Sequence, residues 1–176
     1  DVILVRKEPW TTTGCRRNVL FMNEGIADGQ AIDGVLVDRT AALAPALLDL
    51  TNDRDVVVAD FNGDGWLDIV TATTLSQAFG KSISHPRVYI NRGTEVGGTW
   101  QGFLFDTIDR MPTFPFEPRF CGVGAGDVDN DGDMDLYFAD YDSGPYSRGG
   151  DLNDRLLINN GAGYFTDQTA ARMTSK

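Results

Sequence analysis

The chain has 176 residues, 41% of them hydrophobic, enough for one ordinary domain with its own core. Twenty-six acidic against 15 basic residues leave a formal charge of −11 and a pI near 4.3, which argues against a phosphate-binding face and against nucleic acid as a partner. No apolar run approaches the roughly 20 residues of a membrane-crossing helix, so no membrane span is expected.

Asp1-Val2-Ile3-Leu4-Val5 opens the chain as a strand. No Met and no signal-like segment precede it, and the chain is expected to be a processed product or a fragment. After a polar loop come "NVLFMNEG" (18–25) and "VLVDRTAA" (35–42). "RTAALAPALLDL" (39–50) is the only helix-like stretch, and Pro45 breaks it into at most a short turn. "DVVVAD" (55–60) then leads into "DFNGDGWLD" (60–68), where acidic or amide side chains fall on every second position.

The same series follows twice more. "DIVTATT" (68–74), "RVYINRG" (87–93), "FLFDTIDR" (103–110) and "GVGAGD" (122–127) lead into a second acidic turn, "DVDNDGDMD" (127–135), 67 residues after the first. "DLYFADY" (135–141), "RLLINNG" (155–161) and "YFTDQTAA" (164–171) complete the chain. From Asp1, Asp68 and Asp135 to the Asn that ends the next apolar segment (Asn23, Asn91, Asn159) the separations are 22, 23 and 24 residues. Short segments rich in Val, Ile, Leu, Phe and Tyr, bounded by Gly, Asn or Asp, are strand and turn chemistry, and an internal period is the mark of a repeat architecture. The repeats are set at 1–59, 60–126 and 127–176, each about the size of a four-stranded propeller blade.

The acidic turns, the strands "DIVTAT" and "DLYFAD", and "LLINNGAGYFTDQTA" resemble the FG-GAP/VCBS repeat family, the blades of integrin-α-like β-propellers, over essentially the whole chain. The resemblance implies an all-β fold of about three blades of four antiparallel strands. It also implies calcium in the turn between the first and second strands of a blade. Three blades do not close a ring, which typically needs four to eight. A larger propeller, or one completed by other copies of the chain through open blade edges, is therefore expected.

Carboxylates on alternate positions of a tight turn aim their oxygens at a common centre, where they repel unless a cation joins them. Ca²⁺ takes about 6–8 such oxygens. The expected ligands of the first turn are the side chains of Asp60, Asn62, Asp64 and Asp68 with the carbonyl of Trp66. In the second they are Asp127, Asp129, Asp131 and Asp135 with the carbonyl of Asp133, whose side chain adds further charge. Asp1 stands where the last ligand of a third, partial site would fall. Gly65 and Gly132 sit where the chain must bend sharply. An EF-hand is rejected, because its twelfth position needs a bidentate Glu and here holds Thr71 or Phe138. The last ligand comes instead at the ninth position, as in integrin-type loops.

Function is less constrained. The loops at 6–17, 74–86 and 141–154 carry Trp10, Arg16, Arg17, Phe79, Lys81, His85, Tyr141, Tyr146 and Arg148, a mixture suited to a protein or glycan ligand or to ordinary solvated loops. His85 is expected to be a surface or turn residue, and Trp66 and Trp100 to pack between blades. Cys15 and Cys121 form no CxxC motif; they pair with each other, pair elsewhere or stay thiols. No motif for a nucleophile or a phosphate-cradling loop is present and no catalytic residue is singled out, so enzymatic activity is left undecided, with the non-catalytic reading preferred. The expected function is a calcium-stabilised extracellular, cell-surface or periplasmic segment for binding, adhesion or assembly. The alternatives are a piece of a propeller-fold enzyme acting on polysaccharide and a structural subunit of a surface filament.

Overall fold

Thirteen short strands form among the described residues, which are 1–6, 17–24, 26–27, 30–31, 35–73, 85–95, 97–114, 118–140 and 154–173 of a computed structural model. The first sheet is three-stranded: β1 (Val2–Leu4) pairs with β2 (Val19–Asn23), and β2 with β5 (Leu36–Asp38). Between them β3 (Ile26–Ala27) and β4 (Gln30–Ala31) make a small hairpin. The second sheet orders β6 (Asp53–Ala59), β7 (Asp68–Thr73), β8 (Arg87–Asn91) and β9 (Phe103–Phe105). The third repeats it with β10 (Phe120–Gly126), β11 (Asp135–Asp140), β12 (Arg155–Asn159) and β13 (Phe165–Asp167). All pairings are antiparallel, β2 with β5 across the intervening hairpin and the others between chain neighbours, and among the described residues no barrel closes. The fold is all-β, built of propeller-like blades.

Side-chain alternation along these strands explains why the sheets stack. In the second sheet Ile69 and Tyr89 join Leu20 of the first sheet and Ala44 and Leu47 of the segment that follows it. Their chain neighbours Val70, Ala72, Val88 and Ile90 face the other way, into a core with Phe120, Leu136, Phe138 and Leu157 of the third. β7 is thus buried at all six positions, as a strand covered on both faces must be. In β11 the position matching Val70 is Tyr137, 39% exposed on the outer side of the third sheet. Val128 and Met173, which correspond in the repeat to buried Phe61 and Met111, are exposed on the same side.

Buried polar groups tie the first two sheets together. Asp53 accepts from Thr71 and Thr73 on one carboxylate oxygen and from Thr51 and the Asn18 amide on the other. Arg87 lies buried against the rings of Tyr89 and Phe105, its centre 5.3 and 4.3 Å from theirs, and reaches Asp49 at 2.6 Å.

The stretch at 39–50 forms a helical turn, Thr40–Leu43, and a 3₁₀ turn, Pro45–Leu48, divided where Pro45 enters. It is not the only helical segment. Single turns also form at Thr107–Arg110 and Thr169–Arg172, each after the last strand of its sheet. Four residues are too few to show a helical period, so sequence patterning missed them. Their shared signal is the leading threonine: Thr40, Thr107 and Thr169 accept from the backbone N–H of Leu20, Val88 and Leu156 at 2.8, 2.8 and 2.9 Å. Thr107→Val keeps the shape and orphans the buried Val88 N–H. We expect it to cost about 2 kcal/mol in urea denaturation, whereas Arg39→Ala, which breaks the exposed pair with Glu24, should have a much smaller effect.

Candidate metal centre

Each acidic turn joins the first strand of a four-stranded sheet to its second. In the first, Asp60 Oδ1 accepts from Gly63 N and Asp64 N at 2.8 and 3.2 Å, and its Oδ2 from Gly65 N at 2.8 Å. Asn62 Oδ1 accepts from Asp64 N, and Asp64 Oδ1 from Trp66 N. The second turn repeats this: Asp127 accepts from Asp131 N and Gly132 N, and Asp131 Oδ1 from Asp133 N. Two left-handed residues allow each reversal, Gly63 and Gly65 in one, Asn130 (φ 61°) and Gly132 in the other. Asparagine is the residue that best tolerates what glycine does freely.

The last aspartate of each turn is buried and braces it. Asp68 accepts from Phe61 N at 3.1 Å and from Asn91 N at 2.8 Å. Asp135 accepts from Val128 N and Asn159 N, both at 2.9 Å. Asp1 accepts from Asn23 N at 2.8 Å, which places it in the same position relative to its own sheet. Burial pushes the Asp68 carboxyl up to about 6, against its two backbone donors, and Asp64 and Asp60 add to the rise. Loss of hydration raises Asp133 as well, helped by Asp131, Asp135, Asp127 and Asp129.

One oxygen from each of Asp127, Asp129 and Asp135 comes within 4.8 Å of the others, and among the described residues this is the one set of three metal-binding side chains so gathered. Asp129 Oδ1 is buried without a hydrogen-bond partner, while its Oδ2 meets Arg172 at 3.0 Å. Asp131 and Asp133 are not in the set. In the first turn the matching positions are Asp60, Asn62 and Asp68, an amide standing in the middle, and the Asn62 amide donates to Asp64 Oδ2 at 2.9 Å. A convergent carboxylate set with an unpartnered oxygen fits a hard divalent cation.

Other expected residues are placed differently. Trp66 does not pack between blades: it is 40% exposed and covers Gly93 of its own sheet, where an added Cβ would lie 2.7 Å from the indole nitrogen. Only a glycine leaves that slot. Trp100 borders the core of the first two sheets and donates to Asn91 Oδ1 at 2.7 Å. His85 lies in a bend, half-buried and stacked on Phe114 with ring centroids 5.7 Å apart. Cys121 is a half-buried free thiol. Cys15, Trp10, Arg16, Phe79, Lys81, Tyr141, Tyr146 and Arg148 lie outside the described residues, and Arg17 is exposed.

Asn91 and Asn159 were visible in the sequence only as repeat markers. Asn91 Nδ2 donates to Leu67 O at 3.1 Å and Asn159 Nδ2 to Met134 O at 3.0 Å, so each asparagine holds the end of its own acidic turn. Their fixed distance from the opening aspartate was the signal that could have revealed this.

No helix among the described residues is long and apolar enough to cross a membrane. Comparison with curated proteins finds no match. Residues 60–138, from the first acidic turn through most of the strand after the second, match the FG-GAP-like repeat family. The second and third sheets each carry one of the two acidic turns, and over this region the chain carries FG-GAP-like repeats.

Proposed function

We propose that the chain is a calcium-stabilised, non-catalytic propeller segment, a repeat array over 1–59, 60–126 and 127–176 that binds or assembles outside the cell. The observation that carries this reading is the convergence of Asp127, Asp129 and Asp135 with the partnerless Asp129 Oδ1. Asp60, Asn62, Asp64, Asp68 and the Trp66 carbonyl would hold calcium in the first turn; Asp127, Asp129, Asp131, Asp135 and the Asp133 carbonyl would hold it in the second. Bound calcium supplies the positive charge these turns lack. The residues themselves position the turns, through Asp68 and Asp135, at the junction of two strands. Calcium abundant outside the cell or in a periplasm suits such modules.

A partner would meet the loops at 6–17, 74–86 and 141–154, whose aromatic and basic residues suit a protein or glycan. The exposed Val128, Tyr137 and Met173 support assembly with a further sheet or another copy. Titrating the chelator-treated chain with CaCl₂ in a calorimeter tests the metal reading, and two vacant turns at millimolar Ca²⁺ would overturn it. A glycan array with Arg17→Ala beside the unaltered chain tests the partner.

Chelation should lower stability by RT ln(1 + [L]/Kd), about 2.7 kcal/mol per turn when calcium stood at a hundred times Kd. The second turn, with four carboxylates against three and an amide, should loosen first. Limited proteolysis in chelator should cut near 127–135 before 60–68, and equal cutting would count against the charge ranking.

A further inference from the structure

We propose that Asn159 couples the two acidic turns, so that a cation held in one raises the affinity of the other. The proposal rests on reading both turns as calcium loops and adds a link between them. Asn159 is 4% exposed at the end of β12. Its backbone N–H donates to Asp135 Oδ1 of the second turn at 2.9 Å. Its side-chain Nδ2 donates to Met134 O of that turn at 3.0 Å and, across the junction of sheets, to Phe61 O of the first turn at 2.7 Å.

Phe61 is equally tied at both ends. Its N–H donates to Asp68 Oδ2, and its buried ring meets Phe165 edge-on, with centroids 5.7 Å apart. Phe61 stands between the expected ligands Asp60 and Asn62, so a cation that draws those side chains together sets the direction of its carbonyl. Asn159 Oδ1 meanwhile accepts from Asn160 N and Gly163 N, which fixes the plane of the amide. Gly163 itself lies against the first turn, since a Cβ there would stand 3.4 Å from Asn62 Cβ and 3.5 Å from Phe61 O. Ordering the first turn therefore orders Asn159, and with it the backbone N–H that positions Asp135. Asn91 makes the matching bonds to Asp68 and Leu67 within its own sheet.

Linkage requires the effect to be reciprocal. The test titrates CaCl₂ into the unaltered chain, into Asp60→Asn to disable the first turn, and into Asp127→Asn to disable the second. The product of the two binding constants in the unaltered chain should exceed the product of the single-turn constants by at least about 5-fold. In Asp127→Asn, filling the first turn should slow hydrogen exchange at the Asn159 amide. Asn159→Ala should bring the ratio of products to about 1. If that variant does not fold, the comparison among the other three chains still decides. A ratio of 1 or below in the unaltered chain overturns the coupling and leaves the calcium reading standing. Binding at one turn alone likewise overturns only the coupling, and absence of binding at both turns overturns the calcium reading with it.

Discussion

Asp135→Ala is expected to destabilise the chain by about 3–5 kcal/mol in calcium, measured by urea denaturation. The carboxylate is 1% exposed and accepts from two backbone N–H groups, Val128 and Asn159, at 2.9 Å each. Alanine leaves both donors without a partner in a site that water does not reach, at about 1–3 kcal/mol apiece. The cation-binding contribution is lost as well. In chelator the cost should be smaller, because removing one of several crowded carboxylates relieves their repulsion. Asp135→Asn separates the two parts: its one remaining carbonyl oxygen keeps one of the two acceptor roles, and calcium binding at that turn should weaken sharply. Equal losses for Asp135→Ala with and without calcium would show that Asp135 is only a brace.

The second large effect falls where no charge is involved. Gly102→Ala is expected to cost about 3–4 kcal/mol. Its φ of 72° is the left-handed region, which costs an L side chain about 1–2 kcal/mol. An added Cβ would also come 2.1 Å from the Leu43 carbonyl oxygen and 2.8 Å from the Leu43 Cα. Those atoms are backbone of the helical turn between the first two sheets, so the sheets would have to separate, and overpacking of this kind costs about 1–3 kcal/mol. Gly124→Ala is the control. Nothing lies within 4 Å of its added Cβ and its φ is ordinary, so a change within about 0.5 kcal/mol is expected. Thermal and urea unfolding of both variants against the unaltered chain measures the difference.

Much of the candidate centre was legible because it is local. Asp127, Asp129 and Asp135 lie within nine residues, and the alternation of carboxylates with Gly132 at the bend is a property of that short stretch alone. Local spacing could not show which side chains converge. Asp131 obeys the same alternation, yet its carboxylate lies outside the set that Asp127, Asp129 and Asp135 form. Trp66 misled for a similar reason: a large aromatic next to a core strand suggests burial, yet its slot exists only because Gly93 folds back beneath it from 27 residues away.

Apart from the two-residue strands Ile26–Ala27 and Gln30–Ala31, local patterning was enough to read the strands, their antiparallel pairing, the left-handed bends and the charge of the two turns. Each of these depends on residues close together in the chain, where propensity, period and turn chemistry act directly. Which face of each strand meets which neighbouring sheet could be seen only once the sheets were laid together, as could the reach of Asn159 across 98 residues to Phe61 and the seat of Gly102 against the Leu43 backbone. Those contacts arise when one sheet is laid on another, and the free energy of covering both faces of β7 chooses that arrangement.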